Sequence, residues 1–324
     1  MQIGVVVNPS SRDNRRNPDR PHTLRRLLGG RGKVFEASSH DALDAFLREL
    51  HAARTRYLAV CGGDGTQHLT LSRALPIWGD DPLPTLLPLR GGTMNTVSSS
   101  VGVRRRTSEA LLADLLTRID AGALHTTTRG TARIRSSLGD RIGFLFGVGA
   151  VHGFLDEYYR AGVGDPNPLT AARTLWKAAA GALSDVVATR TSYGGATARV
   201  AAPFRGAVEF REGPRWEQRD YLAITGGTIE DMGLGFRPFA AAQSRGAAFQ
   251  LLGIHGNPAA VAAALPRLWR SRPLGTRVAY DTMCTHATIV PANDEPYGYM
   301  MDGDLYEHRG PLHVEAGPTV RFGV

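Results

Sequence analysis

At residues 57–66 the chain reads YLAVCGGDGT, an apolar run that stops at two glycines and continues with an aspartate, a third glycine and a threonine. The apolar part is typical of a buried strand, and a helical pattern begins at Thr66. Glycine leaves the backbone N–H groups open to a phosphate, and we expect the turn to need positive φ angles. The stretch therefore predicts an anion-binding loop between a strand and a helix. The plainer alternative is a tight strand–helix turn capped by Asp64.

Two further loops of similar composition follow predicted strands. The β-branched run at 3–7 ends in the polar turn NPSS at 8–11, and the apolar run at 83–89 ends in RGGTMNT at 90–96. Strands alternate with helices up to about residue 122, which predicts a parallel, doubly wound, Rossmann-like sheet. Ligands of such sheets bind at the carboxyl ends of the strands. We therefore expect the three loops to form one ligand site.

Beyond residue 125 the helical periodicity gives way to short apolar or alternating runs separated by turn residues, which predicts an antiparallel sandwich or partial barrel. The predicted strands cover residues 131–135, 142–148, 207–211, 221–225, 248–254, 277–280 and 285–290. One helical insertion, at 168–190, carries an apolar stripe. Its basic neighbours are Arg160, Arg173, Lys177 and Arg190. The stripe predicts either ordinary core packing or contact with an anionic membrane surface.

Composition narrows the functional class. The chain has 324 residues, 42% of them hydrophobic, and a net charge of +8. No apolar run approaches the roughly 18 residues that span a bilayer, and the N-terminus lacks the pattern of a signal peptide. Only two cysteines occur, Cys61 and Cys284, far apart in the sequence. We therefore expect a cytoplasmic protein. Basic charge can attract nucleic acid, nucleotides or anionic membranes, but no nucleic-acid-binding motif is present, so we expect no nucleic-acid partner.

The pair of glycine motifs resembles the diacylglycerol kinase catalytic family, a group that includes bacterial lipid kinases, sphingosine kinases and ceramide kinases. The motifs are CGGDGT at 61–66 and LPLRGGTMNTV at 87–97, and the Asn-Pro turn at 8–9 agrees with them. Later landmarks extend the resemblance over most of the chain. They are IGFLFGVG at 142–149, Gly226-Gly227, RPFA at 237–240 and MDGD at 301–304.

This resemblance implies a domain organisation and a reaction. Residues 1–124 would form the α/β nucleotide-binding domain, residues 125–305 the all-β lipid-binding sandwich, and residues 306–324 strands that return to the first domain. The reaction would be transfer of the γ-phosphoryl group of ATP to a hydroxyl of a diacylglycerol-, sphingosine- or ceramide-like lipid. The expected cofactors are ATP and Mg²⁺, and we expect peripheral contact with an anionic membrane surface.

The resemblance also implies roles for individual residues. Asp64 would position Mg²⁺ or orient the acceptor, and Asp302 would be the base that takes the proton from the lipid hydroxyl. Without the resemblance, the run at 301–304 is a good hairpin turn. Phosphoryl transfer depends mainly on alignment and charge neutralisation. The residues expected to contact the nucleotide are Asn8, Ser10, Gly62, Gly63, Gly65, Thr66, Gly92, Thr93 and Asn95.

The chain departs from the family pattern at three places. Asn95-Thr96 stands where many bacterial members have Asn-Asp, and Arg12-Asp13 follows the first loop in place of the usual glycine. Residues 243–246 read QSRG where members with a structural Mg²⁺ carry acidic residues, so we expect no such metal there.

Two other functions remain open on the sequence. An NAD kinase-like enzyme would also use the Gly-Gly-Asp-Gly-Thr motif, and a non-catalytic lipid- or nucleotide-binding regulatory protein could keep the same scaffold. The GGTMN run at 91–95 favours the lipid kinase over the first, and retention of Asp64 and Asp302 favours it over the second. No motif reports which lipid is the acceptor or what the oligomeric state is.

Overall fold

A computed structural model describes residues 2–136, 139–161, 202–233, 235–242, 247–256 and 258–324. The predicted helical insertion at 168–190 and the run at 243–246 lie outside these ranges. The chain divides into two compact units. The first unit comprises Met1–Arg129 with Thr319–Val324, and the second comprises Gly130–Pro318.

The first unit is built on a six-stranded sheet in the order β2-β1-β3-β4-β18-β5. Its strands are β1 (Ile3–Val7), β2 (Gly32–Glu36), β3 (Tyr57–Cys61), β4 (Thr85–Pro88), β5 (Thr126–Arg129) and β18 (Val320–Gly323). All neighbouring pairs are parallel except β18 with β5. Every residue of β1 is buried, as expected of a strand covered on both faces. The predicted α/β fold with a parallel sheet is therefore confirmed.

Helices cover this sheet, and their starts follow capping rules. The helices are α1 (Arg12–Arg15), α2 (Arg20–Leu28), α3 (His40–Ala52), α4 (Asp64–Trp78), α5 (Thr96–Ser100) and α6 (Ser108–Asp120). The Ser39 and Thr107 side chains accept hydrogen bonds from Ala42 N and Ala110 N, which caps α3 and α6. The apolar stripe of α3 is buried over its whole length, as its i, i+3, i+4, i+7 spacing predicts.

The described residues of the second unit form two six-stranded sheets. One sheet contains β6 (Ala132–Arg135), β7 (Arg141–Gly143), β9 (Phe204–Phe210), β10 (Trp216–Tyr221), β14 (His286–Pro291) and β17 (Leu312–Ala316). Its strand order is β10-β9-β14-β17-β6-β7. The other sheet contains β8 (Leu145–Gly149), β11 (Ala223–Gly227), β12 (Phe249–Ile254), β13 (Ala279–Cys284), β15 (Tyr297–Met301) and β16 (Asp304–His308). Its strand order is β13-β12-β11-β8-β15-β16.

All strand pairs of the second unit are antiparallel, which confirms the all-β prediction. Inward-facing residues of both sheets join in one apolar cluster, which includes Phe146 and Phe249 from one sheet and Ile134 and Val208 from the other. In the described ranges, two helices accompany these sheets, α7 (Ala150–Ala161) and α8 (Pro258–Leu268).

Two runs predicted as single strands cross from one sheet to the other. The run at 142–148 contains β7 and β8, which are separated at Phe144, and the run at 221–225 is divided at Leu222 between β10 and β11. Strands that switch sheets make the corners of a sandwich. Since Phe144 is itself buried, the hydrophobic pattern shows no break at its corner.

The chain leaves the second unit close to its C-terminus. β17 pairs with β14 and β6 inside the second unit, and only β18 pairs with strands of the first. The stretch predicted to return, residues 306–324, is therefore shared between the units. Both strands alternate buried and exposed residues, so the pattern alone could not separate them.

The described part of the chain contains no helix with the length and apolarity needed to cross a bilayer.

An ion pair between α3 and α4 gives the first unit a testable pH dependence. Arg73 Nε and Nη2 each donate to the Asp44 carboxylate at 2.5 Å. This bidentate hydrogen bonding holds the pKa of Asp44 below its usual value. A lowered pKa means that the pair stabilises the fold above about pH 4 and loses its effect as the pH falls through the folded-state value.

We expect Asp44→Asn to lower the free energy of unfolding by roughly 1 kcal/mol at pH 7 and by progressively less below pH ~4. Urea titrations across this range measure the difference. Asp114→Asn is the control, because Asp114 pairs with Arg118 on the exposed face of α6 and should change stability by less than about 0.5 kcal/mol. A difference for Asp44→Asn that stays constant with pH contradicts the assignment.

Candidate nucleotide site and acidic hairpin

The loops after β3 and β4 pack backbone against backbone. Gly91 N donates to Gly62 O at 2.8 Å. A Cβ added to Gly92 would lie 2.3 Å from Gly63 Cα, and one added to Gly91 would lie 3.0 Å from Gly62 N. A contact of 2.3 Å is not available to a side-chain carbon, so glycine at position 92 is required for the two loops to meet in this way.

The expectation that these glycines need positive φ angles is wrong. Gly63 has φ −89°, and neither it nor Gly62 is among the residues with positive φ. The left-handed residues of this region are Arg90 and Asn95, with φ 49° and 51°. The close approach of the two loops explains Gly92, whereas Gly62 is glycine because a Cβ there would lie 2.4 Å from Thr66 Oγ1 at the start of α4.

Asp64 joins the two loops through its carboxylate. Its Oδ2 accepts from Thr96 N at 2.8 Å and its Oδ1 from Val97 N at 3.0 Å. Asp64 is the first residue of α4, yet it caps α5. The first N–H groups of a helix lack an intrahelical acceptor, and Asp64 satisfies two of those in α5. The first turn of α4 is then the helix start at which backbone N–H groups can meet a ligand.

The environment of Asp64 also bears on a metal. Burial raises the pKa of Asp64, although the N–H groups of Thr96 and Val97 and the charge of Arg90 oppose the shift. Within the described ranges, no group of three or more His, Cys, Asp or Glu side chains could hold a metal ion. Mg²⁺ is commonly bound through one or two carboxylates together with substrate phosphates. A single carboxylate such as Asp64 is compatible with a metal held mainly by a nucleotide, and Mg²⁺ at this position stays a prediction.

The loop after β1 is attached to the start of α4. Asn8 Nδ2 donates to Thr66 Oγ1 at 2.9 Å, and Asn8 Oδ1 accepts from Ser10 N at 2.9 Å. Asn14 Nδ2 donates to Asn8 O at 2.7 Å and to Cys61 O at 3.0 Å. The first loop thus reaches the glycine motif, as expected from three parallel strands that end at one edge.

Asn14 is a buried residue that the sequence reasoning did not select. It is 3% exposed, and its Oδ1 accepts from Arg20 Nη1 at 2.7 Å. Arg20 also pairs with Glu109 of α6 at 2.8 Å. The residues after Pro9 form a polar stretch that is typical either of a mobile loop near phosphate or of a solvated loop, and no pattern within it indicates an asparagine that bridges two strand ends.

Asn95 shapes the second glycine loop. Its Oδ1 accepts from Gly92 N at 3.1 Å, and its Nδ2 donates to Gly92 O at 2.6 Å. Asn95 is 6% exposed, whereas Thr93 is half-buried and Ser10 is exposed. The structure therefore brings the predicted loop residues to one edge of the sheet and gives Asn95 a local backbone partner. Their contact with a nucleotide stays a prediction.

Asp302 lies in the second unit, in a two-residue turn between β15 and β16. Asp302 and Gly303 have φ 46° and 92°, the positive values that a type I′ hairpin turn needs. The carboxylate is nearly buried, at 4% exposure, and accepts from Phe144 N at 2.9 Å and Leu145 N at 2.8 Å. A Cβ on Gly143 would lie 2.5 Å from Asp302 Oδ2.

The hairpin turn that the run at 301–304 predicts is therefore present. It holds a carboxylate against the corner where the chain passes from β7 to β8. The assignment of Asp302 as a catalytic base stays a prediction.

Asp304, two residues further on, is an acidic residue that the sequence reasoning passed over. Burial raises the pKa of Asp304 to about 6, against the opposing effects of Arg141 and of a hydrogen bond with Tyr306. The Arg141 guanidinium carbon lies 4.0 Å from the centre of the Tyr306 ring. A second acid in the MDGD run at 301–304 was the available signal. The sequence does not predict the environment of Asp304, because Arg141 comes from a strand that is distant in the sequence.

We expect Gly92→Ala to destabilise the first unit by about 1–3 kcal/mol, because the new methyl group would overlap the backbone of Gly63. Thermal unfolding measures the loss. Gly30→Ala is the matched control, since a Cβ there meets nothing within 4 Å, and it should change stability by no more than about 0.5 kcal/mol. Equal stability of the two variants would rule out the loop contact as described.

Comparison with known proteins supports the family resemblance. Residues 2–125 match a family model described as the diacylglycerol kinase catalytic domain. A diacylglycerol kinase from Bacillus anthracis str. Sterne superposes with a TM-score of 0.61 at 14% identity, over 98% of this chain and 96% of the other. A candidate diacylglycerol kinase from the same strain gives a TM-score of 0.67 at 15% identity, with the same coverage.

A search of curated proteins finds no match. At identities of 14–15% the solved structures establish the fold alone. The chain thus combines a segment similar to the diacylglycerol kinase catalytic domain with the fold of such proteins over nearly its whole length, as the two glycine motifs predicted.

Proposed function

We propose that this protein is an ATP-dependent lipid kinase that transfers the γ-phosphoryl group to a hydroxyl of a diacylglycerol-, sphingosine- or ceramide-like lipid. One observation carries the proposal. The glycine loops after β3 and β4 meet in backbone contact at the start of α4, and the carboxylate of Asp64 ties the second loop to that helix. This arrangement presents main-chain N–H groups at the carboxyl edge of a parallel sheet, which suits the phosphates of a nucleotide.

In this proposal the chain contributes mainly alignment. The first-turn N–H groups of α4 and the backbone of Gly62-Gly63 bind phosphate oxygens and offset their charge. Asn8 fixes the hydroxyl of Thr66 at the start of the same helix. Phosphoryl transfer requires little covalent chemistry from the protein, so ordered donors account for much of the expected rate enhancement.

Asp64 is the residue proposed to hold Mg²⁺. Its two oxygens each accept one backbone N–H, and a carboxylate oxygen has capacity for a further partner. A bound Mg²⁺ would neutralise charge on the transferring phosphoryl group.

The turn at 301–304 between β15 and β16 is called the acidic hairpin below. Its two carboxyl groups are candidates for the base that accepts the proton of the lipid hydroxyl. Asp302 is ordered by Phe144 N and Leu145 N. Asp304 has a pKa of about 6, close to the value that suits a general base at neutral pH. We propose Asp302 as the base and Asp304 as the neighbour whose ionisation controls the hairpin's charge.

An acceptor panel tests the function. Radiolabelled ATP is offered with diacylglycerol, sphingosine, ceramide or NAD, and we expect label in one of the lipids. Label in NAD alone supports the NAD kinase-like alternative, and nucleotide binding without transfer supports a regulatory protein.

Asp302→Asn should lower transfer by at least about 10³-fold while ATP still binds, because proton abstraction is lost and the proposed phosphate site is in the other unit. Transfer that survives in this variant contradicts the base assignment.

The hairpin predicts a pH profile. A group with a pKa of about 6 that must be ionised gives a kcat/KM that rises with pH through 6 and levels above it. We expect Asp304→Asn to remove this rise in kcat/KM or to move it to another pH. The control is Asp294→Asn, at an exposed acid elsewhere in the second unit, which should leave the profile unchanged. A profile that is the same in wild type and Asp304→Asn contradicts a role for Asp304.

A further inference from the structure

Trp269 follows directly after α8 and is one of the most exposed large apolar residues in the described ranges, at 45%. Its ring stacks on Phe236, with centroids 4.4 Å apart and an angle of 30° between the planes. Phe236 belongs to a small apolar cluster with Leu268 and Leu274. The indole is therefore held in place from below while nearly half of its surface faces outward.

Several exposed arginines lie close to Trp269 in the sequence or are linked to its neighbours by backbone hydrogen bonds. They are Arg237, Arg267, Arg270, Arg272 and Arg277. The backbone brings four of them together, since Arg237 N donates to Leu268 O at 3.0 Å and the N–H groups of Arg270 and Arg272 both donate to Arg267 O at 3.0 Å. These four arginines and Trp269 are called the Trp269 surface below.

The positive charge of this surface is not balanced by ion pairs among the described residues. Residues 232–280 contain no Asp or Glu at all, although they contain six arginines. Within the described part of the chain, none of the arginines of the Trp269 surface forms an ion pair with an acidic side chain. Elsewhere on the protein, exposed arginines such as Arg135 and Arg160 do pair with carboxylates.

We propose that the Trp269 surface docks the protein on the anionic surface of a lipid bilayer. Tryptophan is favoured at the membrane–water boundary, because its ring is apolar and its N–H is polar. Arginines beside it meet the phosphates and the negative potential of anionic lipids. An exposed aromatic ring backed by an apolar cluster fits the boundary of a bilayer better than the phosphate backbone of a nucleic acid, which would use the arginines alone.

The biological role of this docking surface rests on the proposed function, because a kinase that acts on a lipid must reach a bilayer. Binding itself is independent of phosphoryl transfer. No residue of the Trp269 surface belongs to the glycine loops or to the acidic hairpin, so docking and catalysis can be measured separately.

Vesicle sedimentation with the full chain tests the proposal. We expect binding to vesicles of phosphatidylcholine with phosphatidylglycerol, weaker binding to phosphatidylcholine alone, and a decrease with salt. Trp269→Ala and the double variant Arg270→Glu/Arg272→Glu should each weaken binding to the anionic vesicles by at least about tenfold. The control is Arg26→Glu/Arg48→Glu, which reverses two exposed charges on α2 and α3 and should change binding by less than about twofold.

The outcomes separate the alternatives. Wild-type binding in both surface variants, or an equal loss in the control, overturns the proposal. The same holds if Arg270→Glu/Arg272→Glu alone weakens binding and an oligonucleotide outcompetes the vesicles, which would indicate a nucleic-acid surface. Transfer to a short-chain lipid dispersed without vesicles should be unchanged in the surface variants. Vesicle binding through this surface without transfer to any lipid would contradict the kinase and leave the docking surface standing.

Discussion

Backbone contact between two glycine pairs, Gly62-Gly63 and Gly91-Gly92, is the constraint on which the candidate nucleotide site depends. The loops meet at distances that exclude a Cβ on Gly92, and Gly91 N donates to Gly62 O. Two strand ends are thereby held side by side with their amides at one edge of the sheet. Order of this kind favours phosphate binding because the donors need not be rearranged when the ligand arrives.

The contacts of Asp64 explain how a carboxylate can belong to a loop that we propose binds an anion. A negative charge beside phosphate is unfavourable by itself, but this carboxylate accepts the first N–H groups of α5 and faces Arg90. It therefore balances donors that already exist in the protein. The helix start of α4 is separate from that of α5, so one aspartate can cap one helix while the other helix offers its N–H groups to a ligand.

The acidic hairpin of the second unit also has a carboxylate that accepts hydrogen bonds from the backbone of a distant segment. Asp302 occupies a turn that its positive φ and the following glycine make possible, and its carboxylate is held by the backbone at Phe144 and Leu145. That backbone is the corner at which the chain changes sheets. Packing of the sandwich and position of the carboxylate are therefore one structural feature, and a change in Gly143 would disturb both.

Periodicity and motif spacing alone were sufficient to predict the parallel sheet, the all-β second unit and the meeting of three loops at one sheet edge, because strand alternation and local turns are encoded by neighbouring residues. Tertiary structure decided why Gly92 is glycine, which helix Asp64 caps and that Asn14 bridges two strand ends. It also decided that Asp304 is half-buried and interacts electrostatically with Arg141. Each of these depends on a partner distant in sequence, brought near by packing. The two sheet-switching corners also required the structure, since a hydrophobic run looks the same whether it stays in one sheet or passes to another.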